Sequence, residues 1–194
     1  MAGKDELRAG FAARRAALTL EDRDRAATRL VTHLASSPVL LDDTVTAAAY
    51  VPVGAEPGSV AFLDALRGHS CTVLLPVVPP GPPAPLDWVR YDARDSLARG
   101  RFGLLEPTGP RLGVDAISDA DVVFVPALAV ARTGARLGRG AGYYDRSIAG
   151  IRATLVGIVY DHELLDDLPA DAYDVPMEWV LTPGGGFTRL SPPT

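Results

Sequence analysis

Two patterns of apolar and polar residues alternate along the chain. Short apolar runs, each of a length suited to a buried strand, occur at residues 44–51, 70–76, 86–91, 120–126, 154–160 and 179–182. Longer stretches with the period of a helix occur at residues 3–18, 20–34, 59–67 and 143–151. This alternation predicts an α/β fold in which helices flank a mainly parallel sheet.

The segments outside these patterns define the predicted organisation, one domain over residues 1–194. Two helices within residues 1–36 precede the first strand, and we expect them to pack across the sheet edge. Thr19 and Asp22 have the pattern of a capping box that begins the second helix. Residues 79–83 and 100–113 are rich in proline and glycine and are predicted to be loops. Three consecutive glycines begin a predicted mobile tail, residues 184–194.

Composition and charge exclude several classes of function. The net charge of −5 argues against a nucleic-acid partner bound by bulk electrostatics. No apolar segment approaches the ~20 residues of a membrane span, and no signal peptide is evident. Cys71 is the only cysteine, so an intrachain disulfide is impossible. We therefore predict a cytoplasmic protein with no membrane or nucleic-acid partner.

Residues 136–145 concentrate several kinds of chemistry in ten positions. Three alternate glycines let the backbone approach a ligand, and their amides can form an anion-binding nest. Arg136 and Arg139 offer planar cationic forks for phosphate oxygens. Tyr143 and Tyr144 can stack on a ring, and Asp145 can bind Mg²⁺ at the start of a helix. This combination predicts a site for a polyphosphate nucleotide beside a flat heterocycle.

The same residues leave other interpretations open. No Gly-Lys-Ser/Thr follows the glycines, so the segment is not a P-loop. Its Gly-x-Gly-x-Gly spacing also differs from the dinucleotide fingerprint, which weakens a dinucleotide oxidoreductase as an alternative. No Gly-x-Ser-x-Gly elbow of a hydrolase is present. A flexible turn with core tyrosines and surface arginines remains an alternative on these residues alone.

At this segment the sequence resembles the 5-formyltetrahydrofolate cyclo-ligase (5,10-methenyltetrahydrofolate synthetase) family. The family signature is matched throughout by Gly134-Ala135-Arg136-Leu137-Gly138-Arg139-Gly140-Ala141-Gly142-Tyr143-Tyr144-Asp145. The likeness extends along nearly the whole chain, through Lys4-Asp5-Glu6-Leu7-Arg8, Tyr50-Val51-Pro52-Val53-Gly54-Ala55-Glu56, Phe102-Gly103-Leu104-Leu105-Glu106-Pro107, Val125-Pro126-Ala127-Leu128-Ala129 and residues 171–181.

The resemblance implies a fold, a reaction and cofactors. The fold is a single three-layer α/β domain of Rossmann-like, NagB/RpiA type, present as a monomer or weak dimer. The reaction uses ATP and Mg²⁺ to cyclise 5-formyltetrahydrofolate to 5,10-methenyltetrahydrofolate, releasing ADP and phosphate. The formyl oxygen attacks the γ-phosphate, and a second folate nitrogen then closes the ring as phosphate departs.

The resemblance also implies roles for individual residues. Lys4, Arg139 and Tyr143 would be catalytic, and Asp145 and Asp174 would bind Mg²⁺. The implied nucleotide-binding residues are Lys4, Arg8, Arg136, Leu137, Gly138, Arg139, Gly140, Ala141, Gly142, Tyr143 and Tyr144. The implied folate-binding residues are Val51, Glu56, Arg139, Gly140, Ala141, Gly142 and Tyr143.

Some of these residues have simpler interpretations on the sequence alone. Lys4, the only lysine, could be a solvated charge, and Glu56 could be a surface loop residue. Phe102 could contact the substrate or fill a buried space. The acidic residues of 161–171 are typical of a solvated loop, and each histidine is typical of a helix end or surface.

Three residues, at two places in the chain, depart from the family pattern. Val130-Ala131 stands where the family often has Phe-Asp, and Ala141 stands where many members have glycine or lysine. The first departure raises an alternative function, a non-catalytic protein of the same fold that binds a folate or nucleotide.

Overall fold

The structure is a computed structural model that describes residues 3–100, 105–171 and 173–191. Within these residues the helices are α1 (Lys4–Ala16), α2 (Leu20–Leu34), α3 (Val60–Gly68) and α4 (Tyr143–Ile148). The strands of the main sheet are β1 (Thr46–Ala48), β2 (Thr72–Val77), β3 (Asp87–Arg90), β6 (Val122–Pro126), β9 (Thr154–Ile158), β11 (Trp179–Thr182) and β12 (Gly186–Arg189). The remaining strands are β4 (Leu97–Arg99), β5 (Leu105–Pro107), β7 (Ala129–Ala131), β8 (Arg136–Leu137) and β10 (Leu164–Leu165).

The predicted mainly parallel sheet is confirmed. Seven described strands form it in the order β12-β11-β9-β6-β1-β2-β3. The five inner strands are mutually parallel, and the two edge strands β3 and β12 are antiparallel to their neighbours. Strand β6 returns to the opposite side of β1 from β2, so the strand order reverses between β1 and β6. In open α/β sheets, ligands bind in the crevice at the carboxyl ends of the strands at such a reversal.

Side chains alternate between the two faces of the sheet and give each face its own core. On β6, Phe124 packs under α2 and α3, whereas Val123 and Val125 face the opposite layer. Leu63 of α3 and Ile148 of α4 close the two layers, and both are at most 1% exposed. The three-layer arrangement follows from strands that are apolar on both faces and need a helix against each.

The two N-terminal helices pack on different parts of the domain. The Thr19 hydroxyl accepts a hydrogen bond from the Asp22 N–H at 3.1 Å, so the predicted start of α2 is confirmed. Helix α2 covers a face of the main sheet through Leu30 and Leu34 and also contacts the edge strand β12. Helix α1 packs through Phe11 on a cluster that includes residues of β7 and β8. The stripe of buried apolar side chains on α2 is typical of a helix that covers a sheet face.

Within the described residues 184–191, the segment predicted to be a mobile tail contains an ordered strand. The glycines form the turn of the hairpin that joins β11 to β12. The Asp161 carboxylate stabilises this turn by accepting the N–H groups of Gly184 and Gly185 at 2.8 and 3.1 Å. Gly186 has φ +65°, which favours glycine, and β12 then pairs antiparallel with β11. A run of glycines therefore marks a tight return of the chain here.

Short strands within predicted loops were missed. Strand β5 lies within the predicted loop 100–113 and pairs antiparallel with β4, which lies just before that loop. Strands β10, β7 and β8 form a three-stranded sheet. Helix α4 ends at Ile148, three residues before its predicted end. Strands of two or three residues contain too few positions to show a period.

Candidate functional site

A cleft of about 470 Å³ opens at the carboxyl ends of β1 and β6, where the strand order reverses. Val51 follows β1 and Ala127 follows β6, and both line it. All the predicted site residues also line this cleft: Lys4, Arg8, Val51, Glu56, Arg136, Leu137, Gly138, Arg139, Gly140, Ala141, Gly142, Tyr143, Tyr144, Asp145 and Asp174. The fold thus brings together residues from the two ends and the middle of the chain.

The glycine loop is held against α1 by direct contacts. Gly140 and Gly142 have φ angles of +103° and +69°, which residues with a Cβ rarely adopt. The Arg8 Nε donates a hydrogen bond to the Gly138 carbonyl at 3.0 Å. A Cβ added at Gly138 would lie 3.0 Å from an Arg136 nitrogen, so a larger residue would press on that side chain. The glycines let the loop fold closely over the two arginines.

Three ion pairs join predicted phosphate-binding cations to predicted metal- or folate-binding carboxylates. Arg136 Nη2 lies 2.6 Å from Asp145 Oδ1, and Arg139 Nη2 lies 3.0 Å from Glu56 Oε1. Lys4 Nζ lies 2.7 Å from Asp174 Oδ2. Lys4 Nζ is also 2.7 Å from the exposed Asp171, which the sequence interpretation placed in a solvated acidic loop. In this structure the charges of the cleft therefore neutralise one another.

Glu56 is not the solvated loop residue that its sequence context alone favoured. Its side chain is only 10% exposed, and Oε2 accepts the Val53 N–H at 2.9 Å. The Tyr50 hydroxyl donates to the Pro57 carbonyl at 2.7 Å and ties down the end of the same loop. The carboxylate is therefore presented to the cleft by a fixed loop.

Two buried donors in the cleft wall have no hydrogen-bond partner among the described residues. They are the Arg136 Nε and the Tyr144 hydroxyl. Burial, with a further contribution from the charge of Glu56, raises the pKa of Tyr144 well above its usual value. The hydroxyl therefore keeps its proton at neutral pH. Because unpaired buried donors are costly, these two groups are suited to a bound polar ligand.

The electrostatics of Lys4 and Asp174 are coupled. Burial raises the pKa of Asp174, but hydrogen bonds from Lys4 and from the Asp171 N–H outweigh it, so the pKa is lowered overall. Burial lowers the pKa of Lys4, but its bonds to Asp171 and Asp174 outweigh burial and raise it overall. Both shifts favour the charged forms, so the pair is ionised at neutral pH.

The lowered pKa of Asp174 predicts a pH-dependent contribution to stability. A carboxyl whose pKa is lowered by folding stabilises the fold above its unfolded pKa of about 3.9 and loses that contribution as pH falls through the folded value. We therefore expect the difference in unfolding free energy between wild type and Asp174→Asn to be constant from neutral pH to about pH 5 and to shrink below about pH 4. Urea unfolding across pH measures it, with Asp166→Asn as an exposed control. An equal difference at pH 3 and pH 7 would contradict the ion pair.

The donor set suits magnesium. Asp145 and Asp174 each use one carboxylate oxygen for their cation, and the other oxygen has no hydrogen bond from a described residue. Mg²⁺ is commonly held by one or two carboxylates together with substrate phosphates and waters. No group of three or more histidine, cysteine or acidic residues suited to a metal occurs within the described ranges. A metal here would therefore depend on oxygens brought by the nucleotide.

Several residues of the site were missed or placed differently by the sequence interpretation. Arg15 lines the cleft and forms a buried pair with Glu163, which is 0% exposed although it was assigned to a solvated acidic run. The spacing of Arg15 from Lys4 and Arg8 places the three residues on one face of α1, but this spacing does not indicate that Arg15 is buried. Phe102 lies outside the described residues.

The departures from the family pattern affect the cleft unequally. Val130 and Ala131 are both 0% exposed within β7 and do not line the cleft. Ala141 does line it. Val130 packs in the core of the main sheet and Ala131 packs in the cluster beneath α1. The observation behind the non-catalytic alternative therefore does not concern the binding surface.

Two further predictions concern features outside the cleft. His33 lies near the end of α2, where its Nε2 is 3.0 Å from the Pro183 carbonyl oxygen. Cys71 is a buried free thiol, as expected for a core residue.

Among the described helices, none is long and apolar enough to cross a membrane.

Comparison with known proteins shows the family of the chain. Residues 1–183 match the model of the 5-formyltetrahydrofolate cyclo-ligase family. The chain is 51% identical over 150 residues to the 5-formyltetrahydrofolate cyclo-ligase of Mycolicibacterium smegmatis, covering 75% of this chain and 77% of the relative. It is 31% identical over 177 residues to the enzyme of that name from Escherichia coli K12, covering 88% and 94% of the two chains.

The fold comparison gives the same result. The solution structure of Aquifex aeolicus 5,10-methenyltetrahydrofolate synthetase superposes with a TM-score of 0.80 at 29% identity, covering 98% of this chain and 94% of that one. The Mycoplasma pneumoniae 5,10-methenyltetrahydrofolate synthetase, at 20% identity, shares the fold with a TM-score of 0.71 over 92% and 98% of the two chains. From its matched sequence and fold, the chain belongs to the 5-formyltetrahydrofolate cyclo-ligase family and is a ligase.

Proposed function

We propose that the protein uses ATP and Mg²⁺ to cyclise 5-formyltetrahydrofolate to 5,10-methenyltetrahydrofolate, releasing ADP and phosphate. The observation that carries this proposal is the single cleft in which the glycine loop, four cationic side chains and two carboxylates meet. The cations are Lys4, Arg8, Arg136 and Arg139, and the carboxylates are Asp145 and Asp174. Family membership supports the same reaction.

The triphosphate of ATP would bind along residues 136–144. The open backbone of Gly138, Gly140 and Gly142 offers N–H groups, and the four cations supply compensating charge. Phosphate oxygens would replace Glu56 as the partner of Arg139. The Arg139 side chain is 58% exposed, so it has room to exchange one partner for the other.

Asp145 and Asp174 would hold Mg²⁺ through the oxygens that Arg136 and Lys4 leave free. The ion, when bound, would neutralise the charge of the phosphates and orient them for transfer. The two cations would meanwhile keep both carboxylates ionised and in position. This arrangement needs few protein ligands, as is usual for magnesium in nucleotide sites.

The reduced folate would lie beside the triphosphate. Apolar residues at the ends of the sheet strands and their loops, including Val51, Val77 and Leu86, provide a wall for its flat ring. The carboxylate of Glu56 would accept hydrogen bonds from the amide and amine edge of the pteridine. The freed Arg139 would then stand between the formyl group and the phosphate.

The reaction follows from this juxtaposition. The formyl oxygen attacks the γ-phosphorus, and the bond between that phosphorus and the ADP oxygen breaks. This step leaves an iminium phosphate on the folate and releases ADP. The second folate nitrogen attacks the formyl carbon and loses its proton, and the carbon–oxygen bond to phosphate breaks. Because phosphoryl transfer depends on positioning and charge, Arg139 and Lys4 would stabilise the transferring group, and Tyr143 would help to orient it.

The test is the appearance of methenyl product absorbance with purified protein and 5-formyltetrahydrofolate. We expect product only when MgATP is present, with one ADP released for each product formed. Tight folate or nucleotide binding without turnover would support the non-catalytic alternative, and ATP-independent turnover would contradict the proposed chemistry. The cytoplasmic location and the monomeric or weakly dimeric state stay predictions.

A further inference from the structure

A buried ion pair outside the proposed chemistry joins α1 to the main sheet. Arg15 and Glu163 have side chains that are 5% and 0% exposed. Arg15 Nε and Nη2 each lie 2.7 Å from a different oxygen of the Glu163 carboxylate, so the contact is bidentate. These two residues lie 148 positions apart in the sequence. A bidentate guanidinium–carboxylate contact fixes orientation as well as distance.

The pair also contacts the backbone at the ends of two central strands. Arg15 Nη2 donates to the carbonyl of Ala127, just after β6. The Glu163 carboxylate accepts the N–H of Tyr160, just after β9, at 2.9 Å. The Arg15 guanidinium also lies 5.6 Å from the centroid of the Tyr160 ring. The Arg15 side chain of α1 thus binds the backbone just after β6, which borders the cleft, and the carboxylate that accepts the N–H just after β9.

Helix α1 connects the Arg15–Glu163 pair to the proposed phosphate site. Lys4, Arg8 and Arg15 are spaced by four and seven residues, so at 3.6 residues per turn they share one face of α1. All three line the cleft. Arg15 lies about 16 Å along the axis from Lys4, at the opposite end of the helix. Helix α1 therefore connects the Arg15–Glu163 pair at one end to the two cations at the other.

Stability alone does not account for this pair. Removing two charges from water is costly, and a buried ion pair can often be replaced by uncharged residues without loss of stability. The Phe11 cluster already gives α1 an apolar attachment. Apolar packing holds a helix near a surface, whereas the bidentate pair fixes its rotation and axial register.

We propose that Arg15 and Glu163 form a positioning pair that fixes the register of α1 so that Lys4 and Arg8 reach the triphosphate of ATP. This proposal rests on the proposed function of the cleft. The pair touches neither substrate in this account. It acts through the two cations, so its loss would weaken the use of MgATP more than the use of the folate.

The test separates positioning from stability with the double variant R15M/E163Q. Methionine keeps the length of the side chain without its charge, and glutamine keeps an acceptor for the Tyr160 N–H. Each single variant leaves a buried charge unpaired and is expected to lower Tm, whereas the double variant recovers most of that loss. We expect the double variant to raise the KM for MgATP at least tenfold and to change the KM for the folate less than threefold. A double variant with recovered Tm and wild-type KM for MgATP would overturn the proposal.

The variant R15K tests the positioning role if the double variant does not fold. Lysine keeps the charge but cannot bridge both carboxylate oxygens in a fixed plane, so we again expect a raised KM for MgATP. A KM within twofold of wild type would overturn the proposal. The matched control is R25M/E21Q on α2, which makes the same chemical changes in an exposed pair and should alter neither Tm nor KM. Wild-type protein without MgATP-dependent turnover would instead refute the proposed function.

Discussion

Replacing Arg139 with alanine is expected to remove about 2–4 kcal/mol of transition-state stabilisation, by analogy with the loss of one preorganised donor. This corresponds to a fall in kcat/KM of roughly 30- to 900-fold. The side chain is proposed to stabilise charge on the transferring phosphoryl group, so the effect should fall on kcat as well as KM. Steady-state kinetics with MgATP and 5-formyltetrahydrofolate varied in turn measures both.

The structure adds a second reason for a large effect. Arg139 pairs with Glu56, whose side chain is only 10% exposed, so its removal leaves that carboxylate without its cation. Arg132→Ala is the matched control, because its side chain is 60% exposed and pairs with an exposed Asp166 away from the cleft. Unchanged kcat/KM for Arg139→Ala, or an equal loss in the control, would refute the assigned role.

Replacing Asp145 with asparagine is expected to raise the half-saturating Mg²⁺ concentration at least tenfold. The amide keeps the size of the side chain but loses the charge that holds a hard cation. It also leaves the Arg136 guanidinium, 5% exposed, without its carboxylate, so part of the effect would come through a displaced arginine. A Mg²⁺ titration of kcat at saturating ATP measures the metal requirement.

Asp166→Asn tests whether this effect is specific. Asp166 also pairs with an arginine, but its carboxylate is fully exposed and does not line the cleft. The control should titrate with Mg²⁺ as wild type does. An unaltered titration for Asp145→Asn would show that the metal is held elsewhere. A lowered Tm with an unaltered titration would assign Asp145 to the support of Arg136 alone.

Much of the fold could be predicted because its inner strands are continuous apolar runs. Residues 120–126 and 154–160 were located correctly, since strands buried on both faces contain few polar positions. The edge strand β12 was not predicted, because its pairing depends on a glycine turn held by the distant Asp161. The sequence near residue 184 contains the turn but not the partner that orders it.

The candidate site could be predicted only in part. The glycine loop is a local pattern, and the resemblance added Lys4, Glu56 and Asp174, which the cleft brings together. The pairing of Lys4 with Asp174 joins residues 170 positions apart and follows from the closure of the fold. Arg15 and Glu163 were missed because burial of a charged residue depends on a distant partner that local periodicity does not show.

The most direct measurement follows the formyl oxygen itself. If the formyl oxygen attacks the γ-phosphorus of ATP in the cleft, the oxygen must leave with the phosphate. We expect 5-formyltetrahydrofolate labelled with ¹⁸O in the formyl group to yield one labelled phosphate for each methenyl product, as measured by mass spectrometry of the phosphate. Label found in water, with unlabelled phosphate, would rule out attack by the formyl oxygen on ATP.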